Sequence, residues 1–277
     1  MRIGIFAKTY DDADPQTVLS ACRTSGFECV QYNMACSGLG SLPDTIPTDV
    51  VSELNAAAHA TGVSIDAISA TYNMTDPDLD RRKTGRAAFA AIAKCASVVG
   101  SPIVTVCSGS LDAHDKWRYH RSNDNPASWT EMCREFDMLC EIAEANEILI
   151  GVEPEPANIV CSAARAIDLL ASFPGSPIRI VLDPANLIED VTPDRHKSII
   201  DDALDQLGSM IALVHAKDRF VDGRVAAAGK GVVDWSYLLR SLAACGFDGS
   251  LVAHGMTAVE APGVANFLAT ELRQIAD

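Results

Sequence analysis

Eight short apolar runs, separated by stretches of helical character and unbroken by any linker, limit this chain of 277 residues to few folds. The runs are Ile3 to Ala7, Glu28 to Gln31, Val63 to Ser69, Ile103 to Cys107, Ile148 to Val152, Ile178 to Leu182, Ile211 to His215 and Ser250 to Ala253. Helix signals follow each one. Asp14 supplies an N-cap, Pro15 a first-turn proline and Gly26 a stop. Thr48 is expected to cap a helix that ends at Gly62, and an Ala-rich helix runs from Arg81 to Gly100. Further helices are expected from Pro126 to about Asn146, Ser162 to Ser172, Arg195 to Leu207, Asp234 to Ala244 and Glu260 to Ile275. Strands alternating with helices imply βαβ units and a parallel sheet. Eight such units, at a length near the ~250 residues such a barrel needs, predict an α/β chain forming a single (β/α)8 TIM barrel over residues 1–277. No Gly-rich dinucleotide fingerprint follows the first strand, and there is no Walker-type phosphate loop.

Three of the runs end on chemistry. Ile148 to Val152 stops at Glu153-Pro154-Glu155-Pro156, where the prolines have no N–H to continue a ladder. Ile178 to Leu182 stops at Asp183-Pro184, and Ile211 to Val214 at His215. Barrel enzymes keep their reacting groups at the carboxyl ends of the strands. Two carboxylates and an imidazole at one rim suit a divalent cation such as Mn²⁺, Mg²⁺ or Zn²⁺. Each residue also has a plainer explanation as a helix cap, Asp183 before Pro184 above all. Three ligand types at one level of one barrel favour the cation.

The remaining composition narrows the setting. A formal net charge of −15 argues against a nucleic-acid partner, because phosphate binding wants Lys/Arg patches. The nine cysteines include no CxxC pair and read as reduced, structural thiols. No apolar segment reaches the ~18–20 residues of a membrane span. The opening Met1-Arg2-Ile3-Gly4-Ile5 reads as a first strand rather than a signal peptide, so a cytoplasmic location is expected. Exposed barrel helices leave room for a homodimer.

Together, GVEPEP around Glu153, VLDPANL around Asp183 and VHAKD around His215, on successive strands of eight βα units, resemble the xylose-isomerase-like TIM barrels. That superfamily holds sugar and sugar-phosphate isomerases and epimerases, inosose dehydratases and the endonuclease IV group. The resemblance covers nearly the whole chain. It implies a divalent metal held by Glu153, Asp183 and His215, with a fourth ligand from the end of the eighth strand. There the ketose epimerases have Glu, and this sequence has His254. The epimerases use two glutamates as an acid/base pair on opposite faces of the substrate. The resemblance therefore makes Glu153 a ligand and base, and His254 a ligand or second proton carrier. Endonuclease IV-like members place His three residues after the Asp, where Asn186 stands here. An amide is a poor zinc ligand, so a trinuclear zinc site and DNA-repair chemistry are not expected.

The expected activity is isomerisation or epimerisation of a sugar, sugar phosphate or related polyol ketone by proton transfer α to a carbonyl. An inosose-dehydratase-like lyase and a non-catalytic sugar-binding barrel are the alternatives. The candidate substrate-binding residues are Asn73, Ser108, Trp117, His120, Glu155, Asn186 and Arg219. Asn73 and Ser108 follow the third and fourth strands. Trp117 and His120 lie in the long segment Ser108 to Asn125, where aromatic faces suit sugar C–H surfaces. Arg219 offers a planar fork for phosphate or carboxylate. Trp129, on the next helix, reads as core.

Overall fold

A computed structural model describes residues 1–188 and 192–276. Eight parallel strands close on themselves: β1 (Arg2–Phe6), β2 (Cys29–Tyr32), β3 (Ser64–Ser69), β4 (Ile103–Cys107), β5 (Leu149–Glu153), β6 (Ile178–Leu182), β7 (Ile211–Arg219) and β9 (Ser250–Ala253). β1 pairs with both β2 and β9, and β6 and β9 both pair with β7, so the ring has no free edge. β8 (Val225–Ala227) is a short antiparallel addition to the outer end of β7. The helices are α1 (Pro15–Thr24), α2 (Thr48–Thr61), α3 (Leu79–Val99), α4 (Pro126–Ala145), α5 (Ala163–Ser172), α6 (Pro184–Leu187), α7 (His196–Leu207), α8 (Trp235–Ala244) and α9 (Ala261–Ala276). The predicted (β/α)8 barrel is the observed fold.

The caps follow local chemistry. The Asp14 side chain accepts from Thr17 N, and that of Asp234 from Tyr237 N. Gly62 and Gly100 end α2 and α3 in the left-handed conformation at φ 66° and 73°. Thr48 does not cap α2. It is the first helical residue, and Pro47 stands at the cap with no side-chain bond.

Side chains alternate between the two faces of each strand. Outward-facing residues pack under the helices in the large apolar core. Inward-facing residues stack in layers. Ala67, Ile103, Val181, Leu213 and Val252 form an apolar plug inside the barrel. Gly151 lies in the same layer, where a Cβ would come within 2.9 Å of Ile103 and Val181. Two residues further along each strand the inward positions change character. They become Phe6, Gln31, Ser69, Thr105, Glu153, Asp183, His215 and His254. The apolar plug is therefore the floor of a polar mouth.

The largest departure from expectation is β7. It does not stop at His215 but continues to Arg219, and Val225–Ala227 forms β8 against it. Asp218 holds this hairpin together. Its fully buried carboxylate accepts from Arg219 N, Val233 N, Gly229 N and Trp235 Nε1 at 2.8–3.1 Å. A Cβ on Gly231 would come within 2.3 Å of the Asp218 carboxylate, so only glycine fits there.

Candidate active site

Glu153 ends β5, Asp183 follows β6, His215 lies in β7 and His254 follows β9. A potential ligand atom from each of Glu153, Asp183 and His215 lies within 4.8 Å of the other two. Asp183 caps a helix with one oxygen and turns the other toward the site. Its Oδ1 accepts the N–H groups of Ala185 and Asn186 at the start of α6, which leaves Oδ2 for the site. His215 Nδ1 is 3.1 Å from Glu153 Oε1, and Lys217 Nζ is 2.6 Å from Asp183 Oδ2. These are close contacts of charge, but their alignment is outside that of a hydrogen bond. Buried Asp183 Oδ2 and His215 Nδ1 thus meet charge contacts without a hydrogen bond, and buried His254 Nδ1 has no hydrogen-bond partner. Buried polar atoms are rarely left so. One oxygen and two nitrogens without a hydrogen bond, beside the Glu153 carboxylate in a buried site, fit a divalent cation.

A second tier of residues fixes the first. His215 Nε2 lies 2.9 Å from Gln31 Oε1, and Gln31 Nε2 donates to Thr105 Oγ1 at 3.2 Å. The Thr105 bond orients the Gln31 amide so that its oxygen accepts from Nε2–H, which turns Nδ1 toward the carboxylates. Asn186 Nδ2 stands 3.1 Å from Glu153 Oε1 and 2.8 Å from Glu155 Oε2, and Lys217 Nζ donates to Asn186 Oδ1 at 2.9 Å. His254 stacks on Phe6, with ring centroids 5.1 Å apart and planes 4° apart, and its centroid is 5.3 Å from that of His215. It lies outside the close set of three.

Electrostatics follow from this packing. Burial alone would raise Glu153, but His215 and Lys217 outweigh it and hold the carboxyl well below its usual range. Burial pushes Asp183 up to about 6 against the pull of Lys217. Burial and the charge of Glu153 push Glu155 up to about 7. Burial, reinforced by His215, brings His254 down to about 3, so its imidazole is neutral near pH 7. Burial lowers His215, but the neighbouring Glu153 raises it by more.

A cavity of about 290 Å³ opens over the site, lined by Glu153, His215, His254, Gln31, Thr105, Phe6, Lys8, Lys116 and Trp117 among others. Of the seven candidate substrate residues, only Trp117 lines it. Asn73 braces a loop, its amide bonding both Ser110 N and Ser110 O. Ser108 is fully buried, and its Oγ accepts from Val160 N. His120 caps a short turn through Ser122 N. Glu155 and Asn186 sit behind Glu153. Arg219 donates to the carbonyl oxygens of Ala185 and Gly223. Trp129 packs against the core with Arg165 over its ring at 3.9 Å. Sequence reasoning missed Phe6, Gln31, Thr105 and Lys217. Their signal was period two: each lies on a strand at, or two residues beyond, the level already marked by the three candidate ligands.

No curated protein sequence matches the chain. Among solved structures, a D-tagatose 3-epimerase-like protein superposes with a TM-score of 0.80 at 16% identity, covering 100% of this chain and 98% of that one. A 3-keto-D-glucoside 4-epimerase from E. coli, YcjR, gives 0.77 at 17% identity, covering 98% of this chain and 99% of that one. A xylose isomerase-like TIM barrel protein from Mycobacterium smegmatis, solved in complex with magnesium, gives 0.72 at 13% identity, covering 100% and 97%. At such identities these likenesses speak for the fold. The family profile described as xylose isomerase-like TIM barrel matches residues 19–266, and the chain belongs to that family.

Proposed function

We propose that this protein is a metal-dependent isomerase or epimerase that moves a proton next to the carbonyl of a polyhydroxylated small molecule. The observation that carries this reading is the trio Glu153, Asp183 and His215. Their ligand atoms lie within 4.8 Å of one another, and Glu153 and His215 line a polar cavity. The printed names of structural neighbours, D-tagatose 3-epimerase-like and 3-keto-D-glucoside 4-epimerase, support a carbohydrate substrate.

Glu153, Asp183 and His215 would hold a divalent cation, Mn²⁺, Mg²⁺ or Zn²⁺, and His254 stands beside them as the candidate fourth ligand. When bound, such an ion supplies Lewis-acid stabilisation of negative charge developing on substrate oxygen. Everything else is done by the chain. Glu153, held ionised and exposed to the cavity, takes the α-proton as general base. Gln31 holds the His215 tautomer, and Asn186 holds the Glu153 carboxylate in place. Phe6 and Trp117 supply apolar wall, and Asn33, Ser69 and Thr71 supply polar groups for hydroxyls. His254, neutral and on the wall with Glu153, is the second proton carrier.

One observation favours a narrower version. Among the described residues Glu153 is the single carboxylate lining the cavity, and an imidazole stands where two-glutamate chemistry would need its partner. This supports isomerisation, or elimination of water after α-proton removal, with Glu153 as its one carboxylate base, over epimerisation by paired glutamates.

The test is solvent exchange. With Mn²⁺ or Mg²⁺ present, a panel of ketoses and inososes is incubated in D₂O. The expected result is deuterium at the carbon next to the carbonyl of at least one substrate, and loss of that exchange by at least ~10²-fold in Glu153→Gln. Absence of exchange from every substrate, or equal exchange in the variant, contradicts the proposal.

A further inference from the structure

A second, larger cavity of about 470 Å³ borders the first. Leu42, Lys116 and Trp117 line both, so the two spaces meet across one ridge. The ridge is fixed at several points. Lys116 Nζ donates to the Thr71 carbonyl, and Asn158 Nδ2 donates to the Lys116 carbonyl at 2.8 Å. Asp112 accepts from His114 N and Asp115 N, and Asp115 accepts from Trp117 N at 2.9 Å. Trp117 nonetheless remains 46% exposed at this junction. A half-open indole, with the Lys116 ammonium over its ring, thus stands where the two cavities meet.

The chemistry of the outer space selects its occupant. Asp76, Asp112 and Asp115 face it. Its arginine is already engaged: Arg81 Nη1 donates to the Ala113 carbonyl at 3.0 Å and lies 3.4 Å from Asp76, while Nε lies 3.3 Å from Asp78. Lys116 also lines it, with its ammonium on the Thr71 carbonyl and 5.3 Å from the Trp117 ring centroid. Against three carboxylates, a phosphate or carboxylate entering here still meets more negative than positive charge. A neutral, hydroxyl-rich group meets acceptors for its O–H groups and an indole face for its C–H groups. Volume agrees. The inner cavity alone is at the lower limit of the ~300–1,000 Å³ range of ligand sites, and the outer one brings the pair well inside it.

We propose that the outer cavity is a second sugar subsite, which holds a neutral glycosyl unit joined to the ring that reacts over Glu153. The preferred substrate is then a glycoside or oligosaccharide rather than a free or phosphorylated monosaccharide. This rests on the sugar-ketone reading above for the inner cavity, but not for the outer one.

Binding tests it without turnover. Neutral disaccharides of several linkages, their component monosaccharides and the matching monosaccharide phosphates are titrated into the full-length protein by calorimetry. The same set is titrated into Thr84→Trp, which places bulk into the outer cavity from an exposed position on α3. At least one disaccharide is expected to bind about tenfold tighter than its monosaccharide, with that ratio falling to about one in Thr84→Trp. A melting curve shows that the variant is folded, and Ala113→Trp fills the same space from the opposite loop should it not be. Equal affinity for mono- and disaccharides overturns the subsite, as does tightest binding of a phosphate or a ratio unmoved by filling. Deuterium exchange without disaccharide preference removes the subsite and leaves the chemistry. Disaccharide preference without exchange does the reverse.

Discussion

Lys217 carries the electrostatic balance of the site. Its ammonium is 2.6 Å from Asp183 and bonded to Asn186, with Glu153 and Glu155 nearby. It does not line the cavity, so it acts through Asp183. Removing one member of a buried ion pair strands the other, at a cost of about 3–5 kcal/mol. Lys217→Met is therefore expected to destabilise the metal-free protein by that amount. Added Mn²⁺ should restore more stability to the variant than to wild type, because the ion meets a less compensated carboxylate. Thermal melts with and without Mn²⁺ check this, and a metal-free variant that melts like wild type contradicts it. Gln31→Leu should leave the fold in place but weaken Mn²⁺ binding by about 10–100-fold, since the His215 tautomer is no longer set. Glu153, Asp183 and His215 were legible in the sequence because each ends an apolar run abruptly. Lys217 was not, because the apolar run ends at Val214 and His215 looked like the strand's last residue.

At the scale of elements, the β7–β8 hairpin shows why that happened. Strand seven is apolar only as far as Val214, and beyond it the inward face turns polar while pairing continues to Arg219. Apolar patterning marks burial, not hydrogen bonding, so it lost the strand where the barrel mouth begins. The buried Asp218 then organises the turn from a distance in sequence, through Gly229, Val233 and Trp235, which no local signal announces. Asp218→Ala leaves four donors without an acceptor. It is expected to cost at least ~3 kcal/mol in urea unfolding. A variant within error of wild type would show that the hairpin is held otherwise. Helix ends were more legible, since Asp14, Asp234, Gly62 and Gly100 act locally.

The whole molecule buries reactive groups along with apolar ones. The thiols of Cys22, Cys29 and Cys107 are pushed up to about 12, and those of Cys36 and Cys95 to about 11, chiefly by burial. Raised folded values mean that the native state keeps these protons where the unfolded chain releases them. Stability is thus intact below the unfolded thiol value of 9.0 and falls as pH rises above it. Each thiol contributes up to about 1.4 kcal/mol per pH unit in that window. Urea midpoints should drop markedly between pH 8 and pH 10, and an unchanged midpoint would contradict the burial. All nine cysteines stand as free thiols in the structure. Among the described residues no helix is long and apolar enough to cross a membrane. The barrel itself was legible because its eightfold alternation is a property of the entire chain. The cavities were not, because they depend on which inward side chains stop filling space. The central claim is that Glu153, Asp183 and His215 together bind a cation, and calorimetry of the metal-stripped protein tests it most directly. Mn²⁺ titrated into wild type should saturate at one ion per chain, and Asp183→Ala should abolish the binding. No heat of binding in wild type, or an isotherm unchanged by the substitution, would contradict it.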